Sequence, residues 1–188
     1  MSYIHETPFR EEDFPTLQHI KADYGFIPNF FLAQTMLPDL LDAEVGLVDA
    51  ILIKEGALSR RQKEYIFLVC SAANLSTYCV TAHCEIIRML KLAGPEPEQI
   101  ALDHMSADIP IVDKALLNFT LKLNNRARGI TQDDIDDLRT YGFNDQQILE
   151  AVMCVGLAKF ANYVGFGLGT VPDFKSRIDL EKSKAATM

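Results

Sequence analysis

The chain has 188 residues, 48% of them hydrophobic, and 26 acidic against 18 basic side chains give a net charge of −8. That length fits one domain with a sizeable core, while interspersed charges without a Lys/Arg patch argue against a nucleic-acid or anionic-membrane partner. Four cysteines are too few for a disulfide framework; the acidic opening MSYIHETPFREEDF lacks the apolar stretch of a signal peptide, and no apolar run reads as long and clean enough to span a bilayer, so a cytoplasmic location is expected.

Phe14, Leu17 and Ile20 stand at helical spacing, predicting a short amphipathic helix over 13–22 that Tyr24 to Pro28 break. The phrase YGFIP is apolar yet irregular, the kind of segment that packs over a core or a neighbouring subunit and less often lines a substrate entrance. Asn29 to Gln34 read as a turn of helix. Pro38 opens the next helix, with Leu40, Leu41, Val45, Val48, Ile51 and Leu52 as a broad apolar stripe up to Gly56. Ser59 and Gln62 form a capping-box signature for a helix running to Asn74, apolar on nearly every side. Glu64 near its start is then an acid beside a core, or else a solvated first-turn acid.

The helix after it is expected to continue to Gly94. A short helix over 96–104 follows, with His104 as an ordinary partner of its C-terminal dipole. Pro110 opens a further helix that Gly129 stops, Thr131 caps a small acidic one, and Asn144 caps the last long one, through Phe160 and Phe166. Gly156, Gly165, Gly167 and Gly169 predict close helix packing there. QKEYIFLVCSAAN and QQILEAVMCVGLAKFAN echo one another faintly. The sequons at Asn74 and Asn118 fall in apparent helical core and read as chance matches. No segment alternates with a period of two, so the fold class is all-α: one helical bundle over 1–188, with its core about 14–175 and a loose charged tail over 176–188.

The chemistry concentrates in EYIFLVCSAANLSTYCVTAHCEIIR. Cys79 and His83 are four apart, so on a helix they share a face and the imidazole can reach the sulfur. Ser76 or Thr77 is a plausible N-cap, which sets Cys79 in the first turn, where the helix dipole favours thiolate. Glu64 on the preceding helix is placed to accept a proton from His83 or to orient it. The plainer alternative is a small buried thiol and an ordinary histidine. Cys70, Cys79, His83 and Cys84 do not complete a zinc tetrahedron, so no metal and no cofactor are expected.

This stretch resembles the core motif of the alkylhydroperoxidase D-like branch of the carboxymuconolactone decarboxylase family, a Glu followed by Cys-x-x-Cys and a His. Glu64, Tyr78, Cys79 and His83 fall on that pattern. YGFIPNFF, LSRRQKEYIFLVCSAAN and GFNDQQILEAVMCVGLAKFANYVG extend the likeness to peroxidase-related members over most of 14–175. The resemblance implies a thiol-dependent peroxidase, with Cys79 as nucleophile, His83 taking its proton, Glu64 orienting His83 and Tyr78 hydrogen-bonding in the site. It also implies a hydroperoxide substrate, an external thiol reductant and association into a homo-oligomer.

One residue departs from the pattern. Ser76 replaces the first cysteine, which in two-cysteine members resolves the sulfenic acid as a disulfide. Cys84 is a poor substitute, because residues five apart on a helix have Cα atoms roughly 8.6 Å apart. Cys70 serves only if its helix turns that face toward Cys79. Two other readings stand beside the peroxidase: a lapsed peroxidase serving as a binding or stress-related module, and a non-redox enzyme like the lactone decarboxylases.

Overall fold

The computed structural model describes residues 2–4 and 10–185, and ten α-helices follow one another in them. They are α1 (Pro15–Tyr24), α2 (Asn29–Leu32), α3 (Pro38–Val48), α4 (Arg60–Ala73), α5 (Thr77–Met89), α6 (Pro97–Asp103), α7 (Ile111–Arg126), α8 (Gln132–Thr140), α9 (Asp145–Leu168) and α10 (Leu180–Ala185). No strand occurs among the described residues, as expected of an all-α chain.

Helices begin where the sequence supplies caps. Ser59 with Gln62, Thr131 with Asp134 and Asn144 with Gln147 form reciprocal capping boxes for α4, α8 and α9. α3 widens into a π-helical turn at Asp49–Ile53, and α5 stops at Met89, short of Gly94, with Lys91 in the left-handed region.

Two apolar cores result. The main one centres on α4, whose Tyr65 to Cys70 are all buried among α5, α6, α7 and α9. The two segments whose sequences echo each other, α4 and α9, pack together at its middle. A second, smaller core gathers Phe14, Leu17, Ile20, Phe30, Phe31, Leu41 and Val45 from α1–α3 over Tyr78 and Cys79 of α5. Cys79 therefore sits at the seam of the two.

Three expectations are corrected. A Cβ at Gly156, Gly165 or Gly167 would meet open space, so no neighbouring helix crowds them; Gly156 and Gly167 are exposed and Gly165 is buried. α9, with 24 residues and a mean hydropathy of 1.4 over its best window, is long and apolar enough to cross a bilayer. Here its Ala151, Cys154, Val155 and Ala158 are instead part of the main core. The segment expected to be a loose tail carries α10, whose Leu180 is buried in that core; residues 186–188 lie outside the described part.

Candidate active site

Glu64 is wholly buried one turn into α4, which removes its carboxylate from water. It is met on both oxygens: Arg60 Nε donates to Oε1 at 2.6 Å and His83 Nδ1 lies 2.6 Å from Oε2. Burial by itself would push this carboxyl up, but the charges and hydrogen bonds of His83 and Arg60 outweigh it and hold the group below the usual carboxylate range. An ionised Glu64 accepts the Nδ1 proton of His83. That leaves Nε2 as the basic nitrogen of a ring lining a cavity. Phe67, one turn beyond Glu64, packs its ring 4.6 Å from the imidazole and fixes its tilt.

Cys79 lies three residues into α5 as the sequence implies, but its surroundings differ from the expectation. The sulfur has no hydrogen bond to His83 among the described residues; its polar neighbours are the side chains of Ser76, Asn162 and Ser71. Burial pushes the thiol up from its ordinary value, against the helix dipole, and those three side chains pull it partway back. Glu64 holds the imidazole from its far side. The carboxylate accepts from Nδ1 and fixes the ring, and no hydrogen bond joins the ring to the sulfur among the described residues.

Ser76 is the N-cap residue of α5 but makes no capping bond; its hydroxyl serves Cys79 instead. Tyr78 is not a free donor in the site. Its hydroxyl donates to Asp173 Oδ2 at 2.6 Å and accepts from the Phe30 backbone N–H at 3.1 Å, while its ring stacks on Phe30. Asp173 Oδ1 also accepts from the Asn29 N–H at 2.9 Å. Tyr78 thus ties α2 and the chain after α9 together across the seam.

Cys70 and Cys84 are both held away from Cys79. Cys70 faces Thr120 O of α7, at 4.0 Å, and feels Cys154. Cys84 lies among Glu98, Arg88 and Glu85. Burial pushes both thiols up to about 12, which leaves them protonated.

The cavity beside Cys79 and His83 encloses ≈ 790 Å³, part of it open to solvent. Its wall is apolar: Tyr24, Phe26, Phe30 and Phe31 from α1, α2 and the turn between them, Phe67, and Phe174, which meets Phe26 edge to face at 5.5 Å. The irregular YGFIP phrase therefore does both: Tyr24 and Ile27 pack on the smaller core, and Tyr24, Phe26 and Pro28 line the cavity. Tyr78 and Asp173 also line it but satisfy each other, so Cys79 and His83 are the polar groups left to meet a ligand.

No protein-family model matches the chain, and no curated protein is significantly similar to it in sequence. Solved structures are similar. The alkylhydroperoxidase AhpD core protein from Ralstonia eutropha JMP134, an uncharacterized peroxidase-related protein, superposes with a TM-score of 0.84 at 27% identity, covering 92% of each chain. The chain shares its fold with AhpD-like, peroxidase-related proteins. A second neighbour, an uncharacterized peroxidase-related protein from Silicibacter sp. TM1040, gives a TM-score of 0.82 at 24% identity over 89% of this chain and 87% of its own. The AhpD-like fold is also shared with the debrominase Bmp8, seen as a cysteine-to-alanine variant with 2,3,4-tribromopyrrole, at a TM-score of 0.77 and 18% identity over 100% of both chains.

Sequence reasoning missed Arg60, Asp173, Asn162 and Ser71. Arg60 had a legible signal, a cation one turn before a buried acid. Asp173 and Asn162 come from distant elements and had none, while Ser71 sits on α4 within the motif stretch, with nothing in its type or spacing to mark it.

Proposed function

We propose that this AhpD-like protein is a cysteine-dependent peroxidase that reduces apolar hydroperoxides at Cys79. The observation that carries the reading is the shared cavity: a buried Glu64–His83 pair leaves Nε2 on the same apolar wall as the only thiol that faces it. His83 Nε2 takes the Cys79 proton, through the bound hydroperoxide because the two side chains are not hydrogen-bonded. The thiolate attacks the terminal oxygen, the O–O bond breaks, and the departing alkoxide takes the proton from His83. The products are an alcohol and Cys79 sulfenic acid. An external thiol then condenses with the sulfenic acid, releasing water. A second thiol reduces the mixed disulfide, because Ser76 cannot resolve it and Cys70 and Cys84 face elsewhere. Further copies of the chain are the other expected partner, supported by the apolar side chains Leu149, Met153, Phe160 and Tyr163 exposed along α9.

Consumption of cumene hydroperoxide with a monothiol reductant tests this. Turnover is expected in the parent, abolished by Cys79→Ser and slowed at least tenfold by His83→Ala. Equal consumption by parent and Cys79→Ser would overturn the reading.

A second reading is favoured by the aromatic wall: Cys79 acting on a flat halogenated aromatic, as the debrominase name implies for that neighbour. Halide release from 2,3,4-tribromopyrrole with a thiol reductant separates the two.

A further inference from the structure

We propose that Asp173 sets the charge of the substrate this cavity accepts: its carboxylate on the wall admits neutral hydroperoxides to Cys79 and turns away anionic ones. The inference deepens the reading above and rests on Cys79 being its reacting thiol.

Asp173 belongs to the stretch 169–179, which leaves the C-terminal end of α9 and is anchored at its far end by the buried Leu180 of α10. Three contacts fasten the middle of that stretch to α2 and the turn before it. Asn29 Nδ2 donates to Val171 O at 3.1 Å, the Asn29 N–H donates to Asp173 Oδ1 at 2.9 Å, and Phe174 lies edge to face on Phe26 at 5.5 Å. Asp173 and Phe174 are thereby held in the wall of the cavity that Cys79 and His83 share.

The hydrogen bonds define Asp173 as an acceptor on both oxygens. The Phe30 N–H donates to the Tyr78 oxygen at 3.1 Å, so the Tyr78 hydroxyl proton is free to point at Asp173 Oδ2, 2.6 Å away. Oδ1 is taken by the Asn29 N–H. A carboxylate fits this arrangement, whereas a carboxylic acid would bring a proton that neither neighbour accepts. Both donors are neutral. They satisfy the lone pairs and leave the charge in place, and no ion pair to Asp173 occurs among the described residues. Of the two cations on the same stretch, Arg177 pairs with Glu85 at 3.4 Å and Lys175 is exposed; neither lines the cavity.

The rest of the wall does not offset this charge. Asp173 is the one carboxylate among the described residues that line the cavity, and most of the others are aromatic or aliphatic. Behind His83, the charge of Glu64 is matched by Arg60 on its second oxygen. At the moment of attack His83 carries the Cys79 proton, so imidazolium and thiolate offset one another and Asp173 remains as the uncompensated charge. Against an apolar wall its field is screened less than in water. An anion brought to Cys79 therefore meets like charge, and a neutral peroxide does not.

The test compares two alkylating reagents of similar size, neutral iodoacetamide and anionic iodoacetate, by their rates on the Cys79 peptide of the full chain. Each rate ratio is divided by the ratio for the same cysteine in the urea-unfolded chain, which removes the intrinsic difference between the reagents. The folded parent should favour iodoacetamide roughly tenfold over that reference, and Asp173→Asn should return the ratio to within about twofold of it. The gain should lie in the iodoacetate rate. The new amide can still accept from the Asn29 N–H and donate to Tyr78, which keeps the stretch fastened. Asp108→Asn removes an equal charge from an exposed site outside the cavity and should leave the parent ratio unchanged. A rise in both rates alike in Asp173→Asn would overturn the proposal and leave Asp173 a latch. An equal shift in Asp108→Asn would overturn it in favour of net charge. A parent ratio matching the unfolded chain overturns it without any variant. Because alkylation needs no peroxide, the expected ratios in a chain that consumes no cumene hydroperoxide would sustain the charge filter while the peroxidase reading falls.

Discussion

Glu64 in the main core and Glu44 beside the smaller one are both buried carboxylates, with 0% and 4% of their surfaces exposed. Burial pushes each upward. Glu64 has Arg60 and His83 on its two oxygens and ends below the usual range. Glu44, on α3, has no hydrogen-bond partner on either oxygen among the described residues, and only the Gln34 side chain favours its charge. It is pushed up to about 7. Partners, not depth, decide the charge of a buried acid. The acid behind His83 is locked ionised, and the one under α1–α3 is left to titrate near neutrality.

The largest effect should come from making the first acid resemble the second. Arg60→Met removes one of the two groups that hold Glu64 charged and strands a buried carboxylate, at a cost of about 3–5 kcal/mol. A group held below its unfolded value contributes stability that is present above that value and is lost as pH falls through the folded one. In the variant the folded value moves up toward the unfolded one, so the stability lost on acidification should be smaller and the loss complete at higher pH. Urea denaturation across pH 4 to 8 measures both; a cost under about 1 kcal/mol would mean that His83 alone suffices.

The second effect has the opposite sign. Glu44 keeps its proton to about pH 7 in the folded chain but loses it near the ordinary value of 4.5 when unfolded. Between those values the native state binds more protons, so stability falls as pH rises through that window. Glu44→Gln should remove the fall, matching the parent in acid and exceeding it above pH 7 by on the order of 2 kcal/mol. Parallel curves for the two proteins would show that Glu44 has a partner in solution.

The same contrast marks what the sequence could tell. Caps and period read directly: Ser59, Thr131 and Asn144 open their helices, and the acid, imidazole and thiol of Glu64, His83 and Cys79 share one short stretch around the α4–α5 turn. What the sulfur touches was not legible. The i,i+4 spacing allows Cys79 and His83 to meet, but no hydrogen bond joins them among the described residues, and Glu64 holds the ring through Nδ1. Glu44 carries no signal in the sequence, since nothing local shows that it will be buried. The glycines of α9 misled because a missing Cβ reads the same at a helix contact and at an exposed face.

The smallest effect concerns how the two cores are joined. Tyr78 binds the Phe30 N–H and Asp173 with one hydroxyl, so it fastens α2 across the seam that covers Cys79. Tyr78→Phe should cost only about 1 kcal/mol in global stability, yet speed Cys79 alkylation several-fold at constant pH, because local opening of the seam requires less than global unfolding. If α1–α3 open as a unit, ionising Glu44 above pH 7 should favour the same opening. Tyr78→Phe combined with Glu44→Gln would then label faster than the parent but lose that added rise in access. Equal labelling of Tyr78→Phe and parent at every pH would mean that the seam opens only when the main core does, and that Glu44 and Glu64 belong to one cooperative unit.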